Sequence, residues 1–393
     1  MQTDLDSRMD RLIGDLMPHL IDVRHDLHAH PQLGYQETYA AERVQRELRA
    51  AGIDFEAEIA ETGIIGRIDA GEGSAVALRA DMDALPITEL NDLPYKSQYE
   101  GCMHACGHDG HTAVLIGAAQ VLASLRDQLP RPVRLVFQPA EEEGAGAARM
   151  VEAGALEDVG MMFGIHGVPL LPIGAMATCA GPMMAGTSNF HIKVCGRGGH
   201  AAMPQYCADP ILAASHVVTA LQSIVSRNTD PADPAVVTVG SMHGGQTANV
   251  IPDFAELSGT FRTMTDATDD AVAQRITEVA QQTAAAFGCT AEVVIDKGYP
   301  ALHNAPSAVT VAQRGARAAL GDDAVITLPQ PVMAGEDFAY YARTVPACFS
   351  FIGVRPHDRS DYPSLHSPQY DFTDDAIAIG VKLMCTWAVD TSA

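Results

Sequence analysis

No stretch of about 18 consecutive apolar residues occurs in the 393-residue chain, so no membrane-spanning helix is expected. The most apolar region, near 160–186, is broken by glycine, proline and His166. The opening MQTDLDSRMDRLIGDLMPHL has neither a basic leading segment nor a long apolar run, so no secretory signal is read. Basic residues are scarce: 25 Lys and Arg stand against 49 Asp and Glu, for a net charge of −24. Such a surface repels nucleic acid and anionic membrane. A soluble, cytoplasmic protein is expected, with neither as a partner. No C-x-x-C occurs, since Cys102 and Cys106 are four apart, which excludes a dithiol redox site. No G-x-x-x-x-G-K-[ST] occurs, which excludes a P-loop, and GAGAAR at 144–149 has Arg149 where a dinucleotide fingerprint needs glycine. No G-x-S-x-G supplies a serine-hydrolase elbow. Internal repeats and low-complexity tracts are likewise missing.

What is present is a well-buried globular composition, 47% hydrophobic and 19% charged. A chain of this length is expected to form two domains. Its eight cysteines (102, 106, 179, 195, 207, 289, 348, 385) are scattered, and are read as thiols rather than disulfides. The first half alternates helix and strand. ETYAAERVQRELRAAGI has helical spacing and stops at Gly52. SAVALRADMDAL reads as a buried strand. HTAVLIGAAQVLASLRDQL is a helix capped near His111–Thr112. RPVRLVFQPAEEE is a strand, EEGAGAARMVEAGAL a helix, and GMMFGIHGVP a further buried run. This alternation predicts α/β architecture with a mostly parallel sheet. Near 185 the pattern becomes β-α-β-β-α-β, the split βαβ order of a small α+β domain. In it, Asp209 caps a helix that begins at Pro210. After residue 300, SAVTVAQRGARAAL and CFSFIGV suit the first domain again. The expected division is therefore 1–184, an inserted domain over 185–299, and 300–393.

Three apolar runs end in ionisable residues: Asp81 and Asp83, then Glu141–Glu143, then His166. In open α/β sheets the functional crevice lies at the carboxyl ends of the strands. The loop MHACGHDGHT opens onto the same rim. Its Cys106-x-His108 pair has chelating spacing on a loop, and points to a metal rather than to a buried thiol beside a surface imidazole. His104 and His111 read as supporting or capping residues. Of Glu141 and Glu142, one carboxylate can face a metal and the other the attacking water; Glu143 suits a solvated helix start. His166 is read as a ligand. Asp81-x-Asp83 could bind metal, orient a histidine or cap the next helix, and orientation is preferred for Asp83. His366, in YPSLHSPQYDF, is by local sequence a surface-loop residue.

MHACGHDGHT, FQPAEEE, GRGGHAAMP, GGQTANVIPDFAELSGTFR, MAGEDFAYY and LHSPQYDF occur in this order. Together they resemble the M20 metallopeptidase family, in its amidohydrolase branch of hippurate, N-acyl-amino-acid and auxin-conjugate hydrolases. The resemblance runs from DLHAHPQLGYQE to His366. It implies two divalent metal ions, zinc, manganese or cobalt. Cys106 would be the shared ligand, with His108, Glu142, His166 and His366 completing the set and Glu141 as general base. Where other members carry H-x-D, this chain has Asp81-x-Asp83, so His108 takes the place of the missing ligand and Asp81 is doubtful as one. His200 would reach a neighbouring active site from the inserted lid and dimerisation domain, and polarise the scissile carbonyl. Asn249 and Arg262 would meet the substrate, including its carboxylate. Gln205 stands where many relatives carry histidine, which bears on substrate preference. The implied activity is amide hydrolysis of small N-acyl amino acids by a homodimer or higher homo-oligomer, with a dipeptidase or carboxypeptidase as the alternative. A metal carrier without catalysis is disfavoured by Glu141, a base that a carrier does not need.

Overall fold

Residues 2–390 are described by a computed structural model. The chain forms two compact units: Met1–Met183, His303–Gln330 and Asp337–Ala393 make the first, and Met184–Leu302 with Pro331–Glu336 the second.

The first unit begins with α1 (Gln2–Ala29), whose Met9, Ile13, Leu20, Val23 and Leu27 recur at helical spacing and are buried. Then α2 (Thr38–Ala50) buries Ala40, Ala41, Val44 and Leu48. A hairpin follows, β1 (Asp54–Ile59) and β2 (Gly63–Ile68), then β3 (Ala75–Asp81), buried along its whole length. After a long loop come α3 (His108–Ser124), β4 (Val133–Gln138), α4 (Gly146–Glu152), β5 (Val159–Pro172) and β6 (Met176–Thr178).

The second unit holds β7 (Gly186–Cys195), α5 (Pro210–Ser223), β8 (Ala235–Gly244), β9 (Phe254–Thr263), α6 (Asp266–Ala286) and β10 (Thr290–Lys297). Its sheet has the order β8-β9-β7-β10 and is antiparallel throughout. Alternate residues of β7, among them Phe190, Ile192 and Val194, pack under Leu221 and Ile276 of the two helices. The Asp209 side chain accepts from the N–H groups of Ile211 and Leu212, capping α5 ahead of Pro210.

The chain then returns to the first unit as α7 (Pro306–Leu320), β11 (Val325–Thr327), β12 (Ala347–Arg355) and α8 (Asp375–Val389). The large sheet runs β1-β2-β4-β3-β5-β12-β6-β11. Its centre, β4-β3-β5-β12, is parallel, and the hairpin adds an antiparallel edge. Leu135, Leu78, Phe163 and Cys348 form one buried row across the four central strands. Asp81 and Gln138, the last residues of β3 and β4, pair with each other, so both strands deliver their following loops at one level.

The structure corrects three boundaries. Helix α3 begins at His108, ahead of the expected His111–Thr112 cap, because Gly107 at φ +90° turns the chain into it without a capping side chain. The Glu141–Gly144 stretch is not helical: Ala140, Gly144 and Ala145 all have positive φ, so the helix cannot start before Gly146. Strand β5 does not end at His166 but continues to Pro172, since β12 pairs with it through Phe351–His166, Ile352–Gly167 and Gly353–Val168.

Candidate active site

The turn at Gly107 brings Cys106 and His108 to the carboxyl-end rim of the sheet. A Cβ on Gly107 would approach both the Phe372 ring and the Tyr370 hydroxyl to 3.0 Å, so the turn is packed as well as bent. His108 is fully buried, and its Nδ1 lies 2.9 Å from the Asp83 carbonyl and 3.1 Å from Asp83 Oδ1. Both are acceptors, so Nδ1 carries a hydrogen and Nε2 is the nitrogen left to bind a proton or a metal. That Nε2 is buried and has no hydrogen-bond partner. His166 is set in the same way: Nδ1 donates to Gly167 O at 2.9 Å and Nε2 faces Cys106 Sγ at 3.3 Å.

The Asp83 carboxylate has a second task, accepting the Glu142 N–H at 2.9 Å. Glu142 Oε1 is also buried without a hydrogen-bond partner. It lies 3.3 Å from His366 Nε2 and 3.9 Å from His108 Nε2. His366 comes from the long segment between β12 and α8, with φ +63° and its N–H donated to Ala105 O at 2.9 Å. Two donor triads result, Cys106–His108–His166 and Cys106–Glu142–His366, each with its ligand atoms within 4.8 Å of one another. Cys106 belongs to both. Glu141, buried beside them, receives the Asp337 N–H at 3.4 Å and comes within 4.8 Å of His108 and Glu142.

The electrostatics ask for positive charge here. Burial opposes a charge on His108, yet Asp81, Asp83 and Glu142 more than offset it, and the imidazole is pushed up to about 10. Burial, together with Glu142, Glu141 and Asp81, holds the Cys106 thiol well above its ordinary range. A divalent cation relieves both, because it lets the thiol ionise and neutralises the carboxylates. Orphaned lone pairs aimed at a Cys/His/Glu donor set fit borderline metals such as zinc, cobalt and manganese.

His111, which also falls within ligand distance of Asp81 and His108, is already committed. Its Nε2 accepts the Gly167 N–H at 2.8 Å, and its Nδ1 donates to Asp81 Oδ1 at 2.7 Å. Asp81 in turn takes Arg79 Nη1 at 2.6 Å. Arg79 continues to Gln138 and Asp337, whose carboxylate also accepts the Ala147 N–H. Asp337 and Arg79 escaped the sequence analysis, although an arginine within the apolar run VALRADMD is itself unusual and marks a buried ion pair.

His200, Asn249 and Arg262 lie in the second unit. A short ladder pairs His200 with Val250, and the Ala201 N–H donates to Asn249 O at 3.1 Å, so His200 and Asn249 are neighbours. Arg262 is half-buried on β9, where burial lowers its basicity and Nη1 donates to Phe261 O at 3.0 Å.

The pattern that defines Peptidase family M20/M25/M40 matches residues 77–390. The chain belongs to this family. Over 384 residues it is 41% identical to IAA-amino acid hydrolase ILR1-like 5 of Arabidopsis thaliana, covering 95% of this chain and 87% of that protein. It is 40% identical to N-acetyl-L-cysteine deacetylase of Bacillus subtilis over 367 residues, covering 93% and 86%. The solved structure of Bacillus subtilis YXEP, described as a dinuclear metal binding peptidase from the M20 family, matches with TM-score 0.82 at 35% identity, over 96% of this chain and 98% of that one. This M20 member is a metal-dependent hydrolase of the amidohydrolase and peptidase class. None of its described helices is long and apolar enough to cross a membrane.

Proposed function

We propose that this enzyme hydrolyses the amide bond of N-acyl amino acids, releasing a carboxylic acid and a free amino acid, as a cytoplasmic homodimer. The observation that carries the reaction type is Glu141, buried and tethered beside two donor triads that share Cys106. The substrate class rests on the two relatives above, whose names specify amino acids carrying an acyl group. Cys106, His108 and His166 would hold one ion, and Cys106, Glu142 and His366 the other. When bound, the ions supply Lewis acidity to the scissile carbonyl and make water at the site more acidic. Glu141 accepts a proton from the water as its oxygen bonds to the carbonyl carbon. It then delivers that proton to the nitrogen as the C–N bond breaks. Asp83 keeps His108 in the tautomer whose Nε2 is free. His200 donates to the developing oxyanion, Arg262 receives the substrate carboxylate in its planar fork, and Asn249 aligns the acyl-amide group.

The word peptidase in the description of the YXEP structure favours a second reading, hydrolysis of unblocked dipeptides. One panel separates the two. Protein loaded with Mn²⁺, Co²⁺ or Zn²⁺ is assayed on N-acetyl-, N-benzoyl- and indole-acetyl-amino acids and on free dipeptides, before and after chelation. Acylated substrates should exceed dipeptides by at least roughly tenfold in kcat/KM, about 1.4 kcal/mol of transition-state binding. Chelation should abolish both rates. A preference for dipeptides would install the second reading, and undiminished turnover in metal-free protein would remove the mechanism.

A further inference from the structure

His366 is the candidate ligand with the least regular support. It stands in the segment 356–374, which contains neither helix nor strand, and its side chain is half exposed. Something must hold that segment against the loop carrying Cys106. Neutral ties exist: the Leu90 N–H donates to Pro368 O at 2.8 Å, and Asn91 Nδ2 to Tyr370 O at 3.1 Å. The charged ties come from α1: His25 Nε2 lies 3.0 Å from Asp374, and the others converge on one side chain. Arg24 is fully buried, and its three nitrogens go to three carboxylates. Nε reaches Asp109 at 2.9 Å, Nη1 reaches Asp374 at 3.0 Å, and Nη2 donates to Asp371. Asp109 follows His108 in the first turn of α3. Asp371 and Asp374 follow His366. The Tyr95 ring lies 4.7 Å from the guanidinium and its hydroxyl donates to Asp371, closing the remaining side.

We propose that Arg24 is a positioning residue for the candidate metal centre, its guanidinium fork locking the His366 segment to the turn that bears Cys106 and His108. The inference rests on the two-metal reading above. Charged hydrogen bonds are about twice as strong as neutral ones, and a guanidinium offers donors on three nitrogens in one rigid plane, which suits three carboxylates at fixed positions. Without Arg24, Asp109 keeps His28 and Asp374 keeps His25, but the mostly buried Asp371 loses the cation that pairs with it and the cross-link among the three carboxylates is cut. The exposed, irregular segment yields first. The ion held by Cys106, Glu142 and His366 therefore weakens, whereas the one held by Cys106, His108 and His166 keeps its strand- and helix-borne ligands.

The test is equilibrium competition for Zn²⁺ between the metal-free full-length protein and a chromophoric chelator. Wild type should take up two ions. Arg24→Gln should bind one ion as wild type does and the other about 10- to 100-fold more weakly, the scale for loss of a supporting partner. Arg24→Lys should recover part of the loss, and Asp371→Asn should shift the same ion by less. Wild-type affinity for both ions in Arg24→Gln and Asp371→Asn, or equal weakening of both ions, would overturn the proposal. If Arg24→Gln lacks native circular dichroism, Asp371→Asn decides alone. A wild type that binds no second ion would instead refute the two-metal reading.

Discussion

At the residue scale, adjacent glutamates are tethered differently. Glu142 is oriented through its own N–H on Asp83 and presents Oε1 to His366 at 3.3 Å and to His108 at 3.9 Å, whereas Glu141 is held from the side by the Asp337 N–H. Glu141→Gln should therefore retain both ions and substrate binding, but lower kcat by at least about 100-fold, the usual scale for a lost general base. Metal analysis beside steady-state kinetics checks this. Release of metal from Glu141→Gln, with retention in Glu142→Gln, would exchange the two roles. Cys106, His108 and the glutamates were legible because loop spacing and strand ends expose their chemistry locally. Arg79 and Asp337 were not, being 258 residues apart and joined only by the fold. His366 was silent in its local sequence for the same reason, and only the family resemblance marked it: its neighbour Glu142 is supplied by another part of the chain.

At the element scale, periodicity located α2, α3, α5, α7 and the central strands but not α1 or α8, and it failed where backbone conformation departs from the residues that usually mark it. The β1–β2 hairpin turns through Glu58, Ala60 and Glu61 at positive φ, with no glycine, asparagine or proline among them to announce a turn. Helix α1 carries a feature invisible to periodicity. Its His28 is buried between Asp109, 2.9 Å from Nδ1, and Glu89, 3.3 Å from Nε2. Burial disfavours its charge, but Asp109 and Glu89 outweigh that and push its pKa up to about 9. The folded value lies above the unfolded one, so the stabilisation is complete below about pH 6.5 and is lost as pH rises through 9. The shift corresponds to at most about 3 kcal/mol. Urea unfolding of wild type and His28→Gln should therefore differ most near pH 6 and converge by about pH 10. A constant difference across that range would show that the imidazolium adds nothing beyond packing.

At the scale of the whole molecule, the candidate ligands and Glu141 all belong to the first unit, and His200, Asn249 and Arg262 all belong to the second. The change from α/β alternation to β-α-β-β-α-β made the inserted element order legible, but nothing in local sequence states which copy of the site the proposed role of His200 would involve. Its own geometry suits a donor. Nδ1 accepts the Ala202 N–H at 3.0 Å, which leaves the hydrogen on the exposed Nε2. His200→Ala should keep its metal and its fold but lose about 10²- to 10³-fold in kcat, as removal of one oxyanion donor does. Mixing it with Glu141→Gln then tests the assembly. In a two-fold dimer with His200 acting on its partner, each hybrid has one site with both groups intact. The other site lacks both. Random exchange at equal amounts makes half the dimers hybrid, so about a quarter of wild-type activity should return. If His200 serves its own chain, every site in every dimer lacks one group and mixing restores nothing. Subunit exchange is verified separately with differently tagged chains. Complete exchange without recovery would place closure within a single chain and remove the need for a partner at the active site.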